Sequence, residues 1–321
     1  MDKEVVDMFK IYKKVGADLY DFTDICGKLT LRSTDSEISE QLSFDVKGKF
    51  IKEDDIIQLY EDKTKVFEGI TISVDIDENI TSVNVFDFGW YLNKNEDIYQ
   101  FNNSVSKCIT QICNNHDVPI GGIVNIPISF KKIIRGNLND IIKKLMEYAT
   151  KNNGIKYIWE MREGKFHLEK ESSNVIIYNT KLFGGNIDIT KLMNGASVKR
   201  SIENLVNAVK VADQEDSKVT VLAYKEDSSS IAKHGKIQKL ESISKEERKT
   251  AKSIAANQLK LLNKVEITTG VTLPGVMACR ANKVLQFDDT LVGVNGKFKV
   301  KQCTHNISST SHLMDVELGV M

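Results

Sequence analysis

The segment "VFEGITISVDI", residues 66–76, sets Ile70, Ile72, Val74 and Ile76 against Thr71, Ser73 and Asp75 in strict alternation. A repeat of two sends successive side chains to opposite faces of an extended chain, so one face is apolar and must be buried by a sheet partner. Wound into a helix, the same residues would scatter their apolar groups round the whole circumference. Upstream, "DDIIQLYEDKTK" reads as a short strand and a polar turn at 61–64; downstream, "DEN" leads into a further β-rich run, "ITSVNVFDF". Three antiparallel strands in sequence make a meander. "KLTLRSTDSEISEQLSFDV" adds two more short strands, so residues 1–97 read as a small barrel or rolled sheet.

The middle of the chain changes period. In "SVSKCITQICNNHD", Val105, Cys108, Ile109, Ile112 and Cys113 recur at helical spacing. In "NLNDIIKKLMEYATKNNG", Leu138, Ile141, Ile142, Leu145, Met146 and Ala149 form one apolar stripe, with Gly154 just past its end. "IKYIWE" and "KFHLEK", parted by a turn at 162–164, make a β-hairpin. Residues 98–173 are therefore a small α+β unit of two helices and a hairpin. From 174 to 321 strands return: "NAVKVA" and "KVTVLAY" flank the polar loop "DQEDSK", and "VEITTGVTLP", "KVLQF", "GKFKVKQC" and "HLMDVELGV" follow. One long helix, about 244–264, interrupts them, opened by the capping box Ser244 and Glu247. The fold class is α+β and β-rich, with two small β-barrel-like regions flanking the α+β unit.

Composition limits the chemistry. With 44 basic and 44 acidic residues the formal charge is zero, so no global field draws the chain to nucleic acid or anionic membrane. No apolar run is long enough to span a bilayer, and "MDKEVVDMFKIYKKVG" lacks the apolar block of a signal peptide. Synthesis in the cytoplasm and no membrane insertion are expected. The five cysteines are widely spaced with no Cys-x-x-Cys, which fits reduced buried thiols.

The most chemically suggestive stretch is "KQCTHNISSTSHLM", 301–314. A hairpin centred on Ser308 and Ser309 puts His305 opposite His312 and Cys303 opposite Met314. Cys303, His305 and His312 then share one face and become candidate metal ligands, since zinc accepts thiolate and imidazole. A structural zinc needs four ligands, however, and no fourth stands nearby in sequence; the tip of a terminal hairpin also makes a poor pocket. The stretch is read as the turn of a strand pair, with no metal and no cofactor. Cys113 and His116 lack an orienting group, and His167 and His234 read as strand-surface and turn residues. Asp54 and Asp55, like Asp288 and Asp289, look like turns; neighbours on a strand point to opposite faces and are badly placed for paired acid–base work. "FGGN", 183–186, lacks the strand–loop–helix setting of a phosphate cradle. No catalytic residue is assigned.

The order of segments resembles the baseplate hub proteins of contractile phage tails and tail-like bacteriocins, in the PBSX-type and clostridial branch. Four stretches carry the resemblance. "DDIIQLYEDKTKVFEGITISVDI … VFDFGWYLNKNE", in which Phe67 and Gly69 lead into the "FDFGWYL" segment, is similar to the first domain. "SVSKCITQICNNHDVPIGGIV" with "GNLNDIIKKLMEYATKNNGIKYIWEMREGKFHLEK" is similar to the middle domain. "SIAKHGKIQKLESI" ahead of "KEERKTAKSIAANQLKLLNK" resembles the second tube-type domain, and "GVNGKFKVKQCTHNISSTSHLMDVELGV" its closing hairpin.

The resemblance implies a structural, non-enzymatic part. Two barrel-like tube-type domains per subunit, in a homotrimer, would present six similar domains to a six-fold tail tube and three-fold symmetry to a spike. Implied partners are the tail tube or a tube-initiator protein, the central spike, other baseplate components and the tape-measure protein, in the baseplate of a virion tail or bacteriocin particle. Two other classes stand as alternatives: a tail-associated peptidoglycan hydrolase using His305 or His312 with a carboxylate, and a cell-wall carbohydrate-binding protein using Trp90 and Trp159 as stacking platforms.

Overall fold

The computed structural model describes residues 9–171, 175–178, 197–215, 218–291 and 294–320; the "FGGN" segment lies outside them. The first region folds as β1 (Phe9–Val15), β2 (Asp18–Asp21), β3 (Leu29–Thr34), β4 (Gln41–Lys47), β5 (Ile56–Glu61), β6 (Thr64–Asp77) and β7 (Ile80–Asp87). They pair antiparallel in the order β3-β4-β7-β6-β5-β1-β2, so the 66–76 alternation lies on an inner strand. Leu31, Leu42, Val83 and Val85, each at most 1% exposed, lie on the inward face of this sheet with Ile57 and Leu59.

The middle unit begins after the helix Gly89–Lys94. Its strands are β8 (Glu96–Gln100), β9 (Asn103–Ser104), β10 (Ile120–Ile123), β11 (Ser129–Phe130), β12 (Ile133–Asn137), β13 (Tyr157–Arg162) and β14 (Lys165–Lys170). They surround two helices, Val105–Asn115 and Leu138–Asn153. The second starts where the Asn137 side chain accepts the Asn139 N–H at 3.0 Å. It stops at Gly154, whose φ of +73° is the left-handed conformation a glycine adopts without a Cβ penalty. The predicted stripes of both helices are buried together with Phe166 and Leu168 of the hairpin.

The last region contains β15 (Val175–Tyr178), β16 (Ser197–Ser201), β17 (Ala208–Glu215), β18 (Lys218–Glu226), β19 (Gln238–Ile243), β20 (Glu266–Pro274), β21 (Val284–Leu291), β22 (Val294–Ile307) and β23 (His312–Val320). Of these, β17, β18 and β19 form a separate three-stranded sheet, with β17 in the centre, against the helix Ala251–Leu262. The capping box at Ser244 and Glu247 opens a 3-10 turn, Lys245–Thr250, that leads into this helix. Asp54 lies in a turn as expected, with φ of +68°, whereas Asp288 and Asp289 fall within β21, where its ladder to β22 is interrupted. His234 ends a short helix, Ser228–His234, that periodicity did not reveal.

Among the described residues the two β-rich ends join in one thirteen-stranded sheet, whose path runs from β16 at one end to β2 at the other, and no closed barrel is found. The cause is the length of β22. Its first residues pair with β21, while 302–307 pair antiparallel with β3, matching Gln302 to Thr34 and Ile307 to Leu29. β23 covers its other edge. Ile307 and Met277 thereby enter the core of the first region.

Candidate functional site

Beside the seam between β3 and β22 lies a cluster of buried polar groups: Ser33, Glu40, Asp87, Arg280 and His305. Cys303 and His305 alternate inward on β22, and both are fully buried. The terminal hairpin is shifted by two residues from the sequence expectation. His305 faces Met314, Cys303 faces Val316, and His312 faces Ile307. The turn forms one residue later because Ser308 closes it: its N–H reaches Ser311 O at 2.8 Å and its hydroxyl accepts the Ser311 N–H at 3.1 Å.

The three candidate ligands still meet. Cys303 Sγ lies 3.3 Å from His305 Nε2, and His305 Nδ1 lies 2.9 Å from His312 Nε2. Cys279, from the loop between β20 and β21, brings its Sγ within 3.8 Å of Cys303 Sγ. The donor set is nevertheless committed internally. His305 Nε2 is 2.7 Å from the Cys279 carbonyl, and His305 Nδ1 lies against His312 Nε2, so both of its ring nitrogens are already held in protein contacts. Arg280 Nη1 sits 3.0 Å from His305 Nε2, which puts a permanent cation where a metal would lie. Among the described residues no group of three or more His, Cys, Asp or Glu side chains is arranged to hold a metal ion.

Arg280 organises the rest. Its Nε pairs with Glu40 Oε1 at 2.8 Å, and its Nη1 donates to the carbonyls of Met277 and Cys279. Glu40 precedes β4 and Arg280 precedes β21, so this pair ties the N-terminal half of the sheet to the C-terminal half. Asp87 completes the cluster: its Oδ2 accepts Glu40 N–H at 3.0 Å and its Oδ1 accepts Gly89 N–H at 2.9 Å. Beside them Ser33 Oγ accepts the Ala281 N–H at 2.9 Å. Burial, with the Glu40 charge added, pushes the Asp87 carboxyl well above its usual range. Burial also raises Glu40, and Arg280 offsets part of that rise.

These surroundings suppress reactivity. The Cys279 contact and burial hold the Cys303 thiol well above its ordinary pKa, so it stays protonated. Burial and the neighbouring Arg280 push His305 well down, and His312 to about 4. A buried neutral imidazole beside a protonated thiol is no nucleophile–base pair. A depressed histidine pKa means that the unfolded chain binds the proton first. Stability from His312 is therefore complete above about pH 6.5 and is lost as pH falls toward 4, at up to about 1.4 kcal/mol per pH unit. His312→Gln is expected to flatten stability against pH in that window; urea titrations at pH 4.5 and 7 with equal slopes for both proteins would contradict the account.

The other sequence candidates are dispersed. His116 Nε2 contacts Asp97 Oδ2 at 3.3 Å and Tyr99 OH at 3.2 Å, while burial pushes the Cys113 thiol up to about 12. His167 lies on β14, between β10 and β13. Trp90 stands edge-on to Tyr91 under Lys94, and Trp159 is half-buried against the middle core. Arg280, Glu40 and Cys279 carried no signal in the sequence, because none belongs to a motif or a period; Asp87 lies in the "FDFGWYL" segment, but nothing there points to a buried cluster.

Comparison with known proteins places the whole arrangement in context. The YQBQ-like family model matches residues 23–319. YqbQ of Bacillus subtilis (strain 168) is 23% identical over 265 residues, covering 79% of this chain and 77% of that protein. The phage-like element PBSX protein XkdQ of the same organism is 23% identical over 271 residues, covering 79% and 78%. The crystal structure of a tail protein from Neisseria meningitidis MC58 superposes with a TM-score of 0.65 at 12% identity, covering 97% of this chain and 96% of that one. At that identity the likeness shows a shared fold.

Proposed function

We propose that this chain, which belongs to the YQBQ-like family and is a phage baseplate-type protein of the PBSX branch, is the hub of its tail. In this reading three copies close a ring that meets a six-fold tail tube on one side and a three-fold spike on the other. The observation that carries the reading is the fusion of two β-rich halves into one sheet within each subunit. In this reading the two β-rich parts of each copy turn three-fold into six-fold contacts, and the clamp between them keeps them in fixed relation. Among the described residues the sheet also ends in unpaired edges at β2 and β16. On β2, Leu19 and Tyr20 are 44% and 57% exposed. Such edges invite strand pairing or covering by a neighbour.

Tail tube or tube-initiator protein, spike, other baseplate components and tape-measure protein are the partners in this reading, within a phage tail or bacteriocin particle. Its work is mechanical, and no observation favours the hydrolase or carbohydrate-binding alternatives. His305 is buried and neutral, and Trp90 and Trp159 occupy different elements. Sedimentation tests the ring. The 36.1 kDa chain should sediment as a trimer, alone or with its spike, and Tyr20→Lys should weaken that association. A chain that stays monomeric with the spike present, or that clears a peptidoglycan zymogram, would overturn the hub reading.

A further inference from the structure

A cleft of about 860 Å³ lies where the middle unit, the three-stranded sheet with its helix, the start of β20 and the middle of β22 meet. That is within the roughly 300–1,000 Å³ of ligand sites generally. Among the described residues eight lysines line it against five carboxylates. Two of the carboxylates are each shared by two lysines. Glu171 is shared by Lys156 at 3.9 Å and Lys299 at 3.5 Å, and Glu241 by Lys151 at 3.6 Å and Lys239 at 2.9 Å. Lys264, on the same wall, has no carboxylate within 4 Å among the described residues. Burial and the nearby Lys156 charge lower its pKa. Trp159 also lines the cleft.

We propose that this cleft docks an extended, acidic polypeptide segment of a partner protein. Its carboxylates meet Lys264 and the shared lysines. The interleaved carboxylates decide the ligand class. A nucleic-acid backbone carries a charge at every step and would be repelled by Glu171, Glu241 and Glu266, whereas a peptide can place its acids only where lysines stand. The walls of Phe130, Tyr148 and Trp159 suit the apolar side chains between them. The inference holds whether or not the chain forms a ring.

Trp159 itself is the reporter. In the full chain carrying Trp90→Phe it is the single tryptophan. An octapeptide alternating glutamate and alanine should shift its fluorescence saturably at low salt. Lys264→Glu should weaken that binding by about tenfold or more. Lys264→Gln, checked for an unchanged melting temperature, should weaken it less and serves if the reversal fails to fold. The proposal is overturned if the peptide gives no saturable change, if oligothymidylate or inorganic phosphate binds as tightly, or if neither lysine variant alters the affinity.

Discussion

Arg280→Ala is expected to lower the unfolding free energy by about 3–5 kcal/mol, the cost of stripping one partner from a buried ion pair. The guanidinium is the cation paired with Glu40, and two main-chain carbonyls rely on it as well. Natural domains are stable by only about 5–15 kcal/mol, so the loss should be visible as a large fall in the urea midpoint at neutral pH. Acidification should shrink it. The Glu40 carboxyl is already raised by burial, and without Arg280 it rises further; once protonated it no longer needs a cation. The deficit should therefore be largest at pH 7 and smaller at pH 5. Arg280→Met combined with Glu40→Met should recover most of the loss, since a packed apolar pair is often no worse than a buried ion pair. Recovery should stay incomplete because the Met277 and Cys279 carbonyls keep no donor. A single-variant loss below about 1 kcal/mol would mean that water reaches the cluster, and would remove the clamp from the account of the seam.

How much of this was legible depends on how locally each feature is specified. The 66–76 strand, the two helical stripes, the Gly154 stop and the 157–170 hairpin each depend on neighbours a few residues apart and are present, although the alternation of 66–76 breaks at a bulge between Thr71 and Ser73 that leaves Thr71 buried and Ile76 47% exposed. The terminal hairpin was misread by two residues because serine side chains, not spacing, fix its turn. A slip of two preserves the face of every side chain, so Cys303, His305 and His312 still converge. A slip of one would have scattered them. What stayed hidden was the company they keep. Arg280 and Glu40 are 240 positions apart in sequence, read from their residue numbers, and only the pairing of β22 with β3 brings them together. That pairing also merges the two expected barrels, and no local pattern announces it: β22 looks like any other alternating strand until its double set of neighbours is known.

Gly69→Ala is the second large effect expected, and it arises from close approach, not from packing volume alone. Gly69 lies on β6 between two partners, opposite Ile57 of β5 and Asp87 of β7. A Cβ there would lie 2.3 Å from the Phe86 carbonyl oxygen and 2.8 Å from Phe67 Cζ. The phenyl ring can turn away, but the carbonyl belongs to a ladder and cannot. Strand β6 is held from both sides, so the strain must enter the sheet or displace Asp87, which anchors Glu40 and the start of the Gly89–Lys94 helix. The cost should reach about 3 kcal/mol, the upper end for overpacking. Gly270→Ala supplies the control, because its added Cβ meets nothing within 4 Å. Its effect should stay within about 0.5 kcal/mol. Equal losses at the two positions would mean that strand flexibility, not contact with the Phe86 carbonyl, sets the penalty. A large loss at Gly69 alone would show why the segment leading into "FDFGWYL" needs a residue without a side chain, and would tie the meander to the clamp that holds the two halves of the sheet together.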